Sequence, residues 1–457
     1  MERDAIDLGR LNIPVLFRRY FIPTLLGMLG MSAVTAIDGI FIGHGVGSDG
    51  IAAINICVPI LMLFTGVGLM AGAGCSVVAS IHMARGKEKA ARLNVTQAII
   101  FITVVALIPS ILMMVFLERT AIMLGSSEHL LPMVKEYMMW YVPSWVFQIW
   151  ITTGLFIIRL DGAPKLAMSC SLVAAILNVV LDWLFIFPFG WGLMGGALAT
   201  SISVTAGGLM AMGYLCFFAK RLKLYRPKFS RKSLQLSLRN IGYQCRIGAS
   251  GLLGESTLAV LIFIGNHIFM QYLGDDGVGA FGIACYYTPF VFMIGNAIAQ
   301  SAQPIISYNF GAGYNTRINQ TLRVSIITAL ICGSTVSAAF ILLPEWLVGL
   351  FIGLDNPASD IAISGFPYYA AGFIFFVMNL SAIGYYQSIE RVLPATVFAL
   401  LRGFIFLIPC FIMLPQLFGD KGIWLALSVS EVLTSAVIAC FFLHEQRKTD
   451  APKTTTE

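Results

Sequence analysis

From end to end the chain alternates long apolar runs with short polar breaks. A bilayer crossing takes about 20 mostly apolar residues, and the runs predict twelve such helices. Six fall at 15–44, 51–80, 94–117, 134–158, 166–188 and from just after Gly192 to 219. Six more fall at 247–273, 278–307, 321–343, 361–386, 395–415 and 422–443. The breaks are rich in Gly, as a tight turn between antiparallel helices requires, and nothing of size is left over for a soluble domain.

The pattern repeats with a fixed offset. GSDGIAA at Gly47 matches GDDGVGA at Gly274, a shift of 227 (274 minus 47), and Arg85–Gly86 falls on Ala312–Gly313 with the same shift. GLMGGALA from Gly192 falls on GDKGIWLA from Gly419, again 227 on. The expected fold is therefore an all-α polytopic membrane protein made of two six-helix bundles. Because six is even, both bundles enter from the same side, a parallel repeat with the substrate site expected where the halves meet. The expected division is a first lobe over 1–219, a linker over 220–246, a second lobe over 247–443 and a tail over 444–457.

Composition agrees with a membrane protein. Of 457 residues, 58% are hydrophobic and 11% charged, against roughly one-quarter charged in soluble domains, and the mean hydropathy is +0.84. The N-terminal segment mixes Glu2, Asp4 and Asp7 with Arg3, Arg10, Arg18 and Arg19 and has no small-residue cleavage site, so the first helix is expected to stay in the mature protein. From Trp183 to Gly254 there is no acid, while Lys220, Arg221, Lys223, Arg226, Lys228, Arg231, Lys232, Arg239 and Arg246 fall inside. By the positive-inside rule this stretch is cytoplasmic, and alternating the loops from it leaves only Arg119, Lys135 and Lys421 outside. Both termini are then cytoplasmic, in the cytoplasmic (inner) membrane. A basic run also raises nucleic-acid or lipid-headgroup binding; the topogenic reading is preferred and no nucleic-acid partner is expected. The nine cysteines are scattered singly with no CxxC, and read as packing residues.

Four acids lie well inside expected spans, away from their ends: Asp38 and Asp182 in the first half, Glu255 and Glu431 in the second. An ionisable residue at membrane depth is costly and marks a pathway by default. Two carboxylates sharing a low-dielectric pocket cannot both stay ionised unless a cation or proton sits between them, which is what a coupling site for Na+ or H+ requires. Hard cations want several oxygens. Asn178 offers an amide carbonyl one turn from Asp182 in LNVVLDWLFIF, and Thr200 offers a hydroxyl. Glu431 also has a plain structural reading, pairing with Arg402. Pro23, fifteen residues before Asp38, can act as a bend whose angle follows the state of the acid. Aromatics make up 12% of the chain and there are 20 Met; Tyr286, Tyr287 and Trp145 are candidates for a cavity that takes flat cationic ligands.

Four stretches carry a family resemblance: AQSAQPIISYNFGAG (Ala299–Gly313), FIIRLDGAPKLAM (Phe156–Met168), LNVVLDWLFIFPFGWGLMGGALAT (Leu177–Thr200) and AIDGIFIGHGVGSDGIAA (Ala36–Ala53). Together they resemble the multidrug and toxic compound extrusion (MATE) family, over nearly all of the chain. The resemblance implies two six-helix lobes forming a V, and efflux of organic cations driven by inward flow of Na+ or H+. It carries the family's first-lobe cation site onto Asp38, Asn178, Asp182 and Thr200, its bent first helix onto Pro23, and the helix-7 acid of the NorM-like branch onto Glu255. That branch also has an acid in helix 10, where this chain has Asp360 only at the edge, so the first-lobe site is favoured. Glu431 is no part of the family's pattern. Gln300 and Gln303, inside the first signature, join the candidate cavity residues.

The implied partners are small organic cations or hydrophobic compounds and membrane lipid, with no cofactor beyond the coupling ion, and a monomer is expected. Two rival functions are a flippase-like exporter of lipid-linked or other metabolites, and an intramembrane enzyme. The first usually goes with more basic cavities and extra helices; the second needs a nucleophile–base pair or an HExxH-type site, and no HExxH occurs.

Overall fold

A computed structural model describes residues 7–225 and 230–450. Residues 226–229 of the basic stretch and the tail beyond 450 lie outside the described residues. The described chain is helical almost throughout, in the order α1 (Ile13–Gly45), α2 (Ser48–Ala84), α3 (Glu88–Val115), α4 (Leu117–Met123), α5 (Leu131–Tyr141), α6 (Trp145–Leu160), α7 (Pro164–Ile186), α8 (Gly192–Gly213), α9 (Arg231–Ala312), α10 (Asn315–Leu342), α11 (Pro344–Gly349), α12 (Pro357–Ala370), α13 (Phe373–Ser388), α14 (Val392–Leu400), α15 (Leu407–Phe418) and α16 (Asp420–Asp450). Among the described residues, eleven stretches are long and apolar enough to cross a membrane, and twelve if the bent pair α12 and α13 counts as one. Large apolar side chains such as Ile108, Val115, Phe263, Leu342 and Leu417 are exposed, as a lipid-facing surface requires.

The repeat is written into the backbone. Gly47 and Gly274, Gly86 and Gly313, and Gly192 and Gly419 all take positive φ, at 95° and 66°, 70° and 78°, and 53° and 58°. A left-handed turn costs glycine little and other residues more, so the same turn recurs 227 residues later with the same residue in it.

Three elements differ from the hydropathy reading. The fourth expected span is α5 and α6 joined by a 3₁₀ turn at Val142–Ser144. Helix α9 starts at Arg231, well inside the stretch read as a linker, because Ser230 Oγ caps it by accepting from the Ser233 N–H at 3.1 Å; it then runs to Ala312 with one break at Gly274. The tenth expected span bends by 46° between α12 and α13. Ser428 of α16 inserts there: its Oγ accepts from the Gly372 N–H at 2.8 Å and lies 2.7 and 2.9 Å from the carbonyls of Tyr368 and Tyr369. A side chain entering the helix ladder is a recognised cause of a kink.

By contacts the chain forms two compact units that do not divide at the sequence halves. Of the described residues, the first takes those up to Ala259 together with Ala297–Ser325 and Gly384–Val392; the second takes Val260–Asn296, Ile326–Ile383 and those from Leu393 on. In the first, α1 packs on α7, α7 on α8, and α2 on both α3 and α6. One of its apolar clusters joins Val77, Val78 and Ile81 of α2 to Ile247 and Phe310 of α9 and to Val392. Close glycine contacts tie α2 to α9, since a Cβ at Gly74 would overlap the Gln244 carbonyl and one at Gly248 would overlap the Met70 carbonyl. In the second unit, an aromatic cluster of Phe269, Phe281, Tyr369 and Trp424 fills the space between helices, with Phe269 and Phe281 stacked at 4.5 Å.

Candidate functional site

Asp38 on α1 and Asp182 on α7 come together because α1 packs along α7. Their carboxyls interact side chain to side chain. Asp182 has no exposed surface and Asp38 is half-buried. Among the described residues, no protein donor gives a hydrogen bond to either oxygen of Asp182 or to Oδ1 of Asp38, and neither acid is in an ion pair. One turn before Asp182, buried Asn178 donates from Nδ2 to Thr200 Oγ1 at 3.3 Å, and Thr200 in turn donates to the Gly196 carbonyl at 3.0 Å. That chain fixes the amide end of Asn178 on α8 and leaves its carbonyl end for another partner.

These groups fit a monovalent cation or a proton. Acceptor oxygens without donors, converging from two helices, are what such a charge seeks. A site needing three or more His, Cys, Asp or Glu ligands does not occur among the described residues. Two residues that sequence reasoning missed also belong here. Tyr137 and Tyr141 of α5 are buried and stand close enough to Asp38 to sense its charge, Tyr137 sensing Asp182 as well. With Trp145 they form a ladder at four-residue spacing, with ring centroids 5.5 and 6.1 Å apart, and Phe64 closes on Trp145 at 4.8 Å. The i, i+4, i+8 spacing was the available signal, hidden among 15 Tyr and 33 Phe.

The other candidates lie elsewhere. Pro23 is buried within α1, which runs on through it. Glu255 is buried on α9 beside Gly66, in the same unit as Asp38, with no hydrogen bond or ion pair among the described residues. Gln300 and Gln303 are buried there too: Gln300 Oε1 accepts from Arg159 Nη1 at 2.6 Å, and Gln303 Nε2 points at the Ala73 carbonyl at 3.5 Å. Tyr286 and Tyr287 belong to the second unit, where Tyr286 stacks on Phe351 at 5.3 Å and the Tyr287 hydroxyl donates to the Leu347 carbonyl. Glu431, also in the second unit, is closed on every side. Its Oε1 accepts from Arg402 Nε at 2.7 Å and its Oε2 from Asn379 Nδ2 at 2.7 Å, while Ser435 holds Asn379 and Phe376 lies under the guanidinium at 4.0 Å.

Repeated helical halves of membrane-crossing length define a multi-pass membrane protein, with a buried carboxylate pair in its first half. The chain belongs to the MatE family, whose model matches residues 23–184 and 252–412. It is 25% identical to a FAD transporter of Shewanella oneidensis, with 98% of each chain covered, and 24% identical to the multidrug export protein MepA of Staphylococcus saprophyticus, with 94% of each covered. A solved structure described as the outward-facing conformation of a multidrug resistance MATE family transporter shares the fold, with a TM-score of 0.89 at 18% identity over 97% of this chain and 98% of that one.

Proposed function

We propose that the chain is a secondary-active antiporter that exports organic, mostly cationic, compounds in exchange for Na+ or H+. The observation that carries this reading is the Asp38–Asp182 pair with its unpartnered oxygens. A cation or proton arriving from outside binds between the two acids, with Asn178 and Thr200 completing the oxygen set. Neutralising the pair rearranges α1 about Pro23, which weakens drug binding against the Tyr137–Tyr141–Trp145 ladder. Drug and coupling ion must then each lower the other's affinity. The protein acts in the cytoplasmic (inner) membrane as a monomer, with both termini cytoplasmic.

The relatives named as multidrug export proteins support export of drugs. The relative named as a FAD transporter favours a second reading, export of a metabolite by the same coupling. Ethidium efflux from proteoliposomes, driven first by a sodium gradient alone and then by a pH gradient alone, tests the proposal. Movement under either gradient is expected and names the ion; no movement of any organic cation under both would leave metabolite export as the better reading.

A further inference from the structure

Arg159 sits near the end of α6 with 4% of its surface exposed, and among the described residues it forms no ion pair with a carboxylate. Arginine keeps its charge, and a buried unpaired charge costs several kcal/mol, so it is normally paired. Among the described residues, the only hydrogen-bond partner of the Arg159 guanidinium is the neutral amide of Gln300, at 2.6 Å; the Phe156 ring lies 5.4 Å from the guanidinium, and Nε has no acceptor. The acid two residues on cannot help, because Asp161 spends both oxygens on the Tyr214 hydroxyl and the N–H groups of Lys220, Arg221 and Leu222.

The same guanidinium lines a small cavity shared by α1, α6 and α7, walled by Pro23, Thr24, Met28, Met168 and Ser171. Thr24 is 3% exposed, and its hydroxyl has no partner among the described residues, although a threonine in a helix can usually turn to its own backbone. Ser171 makes only a long 3.4 Å bond to the Ala167 carbonyl. The room is that of about one water-sized occupant, which excludes a nucleotide or a drug.

We propose that Arg159, Thr24 and Ser171 form a binding site for a small monovalent anion of chloride size, set against the proline of α1. Arg159 supplies the countercharge and the two hydroxyls donate to the anion. The site is separate from the Asp38–Asp182 pair and opposite in sign. An anion held there ties the Pro23 segment of α1 to α6 and α7, so it stabilises one setting of that helix. The inference does not depend on the exporter reading, because its readout is binding.

The test is thermal melting of the purified full-length protein at fixed sodium, with gluconate replaced stepwise by chloride. The wild type is expected to show a saturable rise in melting temperature that Arg159→Gln abolishes. Thr24→Val, which leaves the buried charge in place and so guards against a misfolded Arg159→Gln, should need about tenfold more chloride, as expected for one lost hydrogen bond to a charged group. Crystals grown in bromide should show an anomalous peak beside Arg159. No saturable chloride response in the wild type, the same response in Thr24→Val as in the wild type, or bromide peaks only elsewhere would overturn the assignment.

Discussion

Asp38 on α1 and Asp182 on α7 meet carboxyl to carboxyl, and among the described residues no donor reaches either oxygen of Asp182. Two acids so placed repel each other in the folded chain unless a positive charge joins them. That repulsion works against the stability of the fold, which separates the pair from the closed Glu431 network.

Asp182→Asn removes that repulsion while keeping the shape. In sodium-free buffer near neutral pH it is expected to raise stability by about 1–3 kcal/mol, and to remove any rise in melting temperature that sodium or acid gives the wild type. Thermal unfolding with and without sodium checks both; a large fall in stability would point to Asp182 as an ordinary packing residue.

Thr200 holds the amide of Asn178 through its hydroxyl. Thr200→Val should therefore leave the fold intact and weaken the coupling ion's apparent affinity by about tenfold, the value of one good hydrogen bond or oxygen ligand. The ion concentration giving half-maximal efflux is the readout, and an unchanged value would remove Thr200 from the site.

Arg402 and Glu431 are a strut. Glu431→Gln alone is expected to cost about 3–5 kcal/mol by leaving the guanidinium buried and unpaired. Arg402→Met combined with Glu431→Leu should cost far less than the two single changes summed. Efflux per folded molecule should survive in the double variant; its loss with folding intact would move Glu431 into the transport machinery.

Glycines separate close packing from slack. Gly248→Ala drives a methyl into the Met70 carbonyl, with an expected loss of about 1–3 kcal/mol. Gly213 has nothing within 4 Å of a Cβ and a helical φ of −55°, so Gly213→Ala should gain about 0.5–1 kcal/mol. Melting temperatures of the two variants should therefore move in opposite directions.

Much of the fold was legible because its punctuation is chemical. A turn with positive φ favours glycine, so Gly47, Gly86 and Gly192 announced their counterparts 227 residues on. Asp38 and Asp182 stood out because carboxylates are rare in apolar spans. What stayed hidden depends on distant packing. Arg159 meets Gln300 across 141 residues, and the bend after Ala370 depends on Ser428 of another helix, which no local pattern announces. The basic residues from Arg231 to Arg246 carried the topology signal so strongly that the Ser230 cap, a local helix signal, went unused. Tyr137 and Tyr141 were lost among too many aromatics for spacing alone to single them out.

The central claim is that the Asp38–Asp182 pair couples the ion to the substrate. Its most direct test is ethidium efflux from proteoliposomes under the gradient that drives the wild type, measured for Asp38→Asn and Asp182→Asn at matched protein incorporation, with ethidium binding measured alongside. The account requires both variants to bind ethidium and neither to move it against a gradient. Efflux at the wild-type rate by both variants would contradict it.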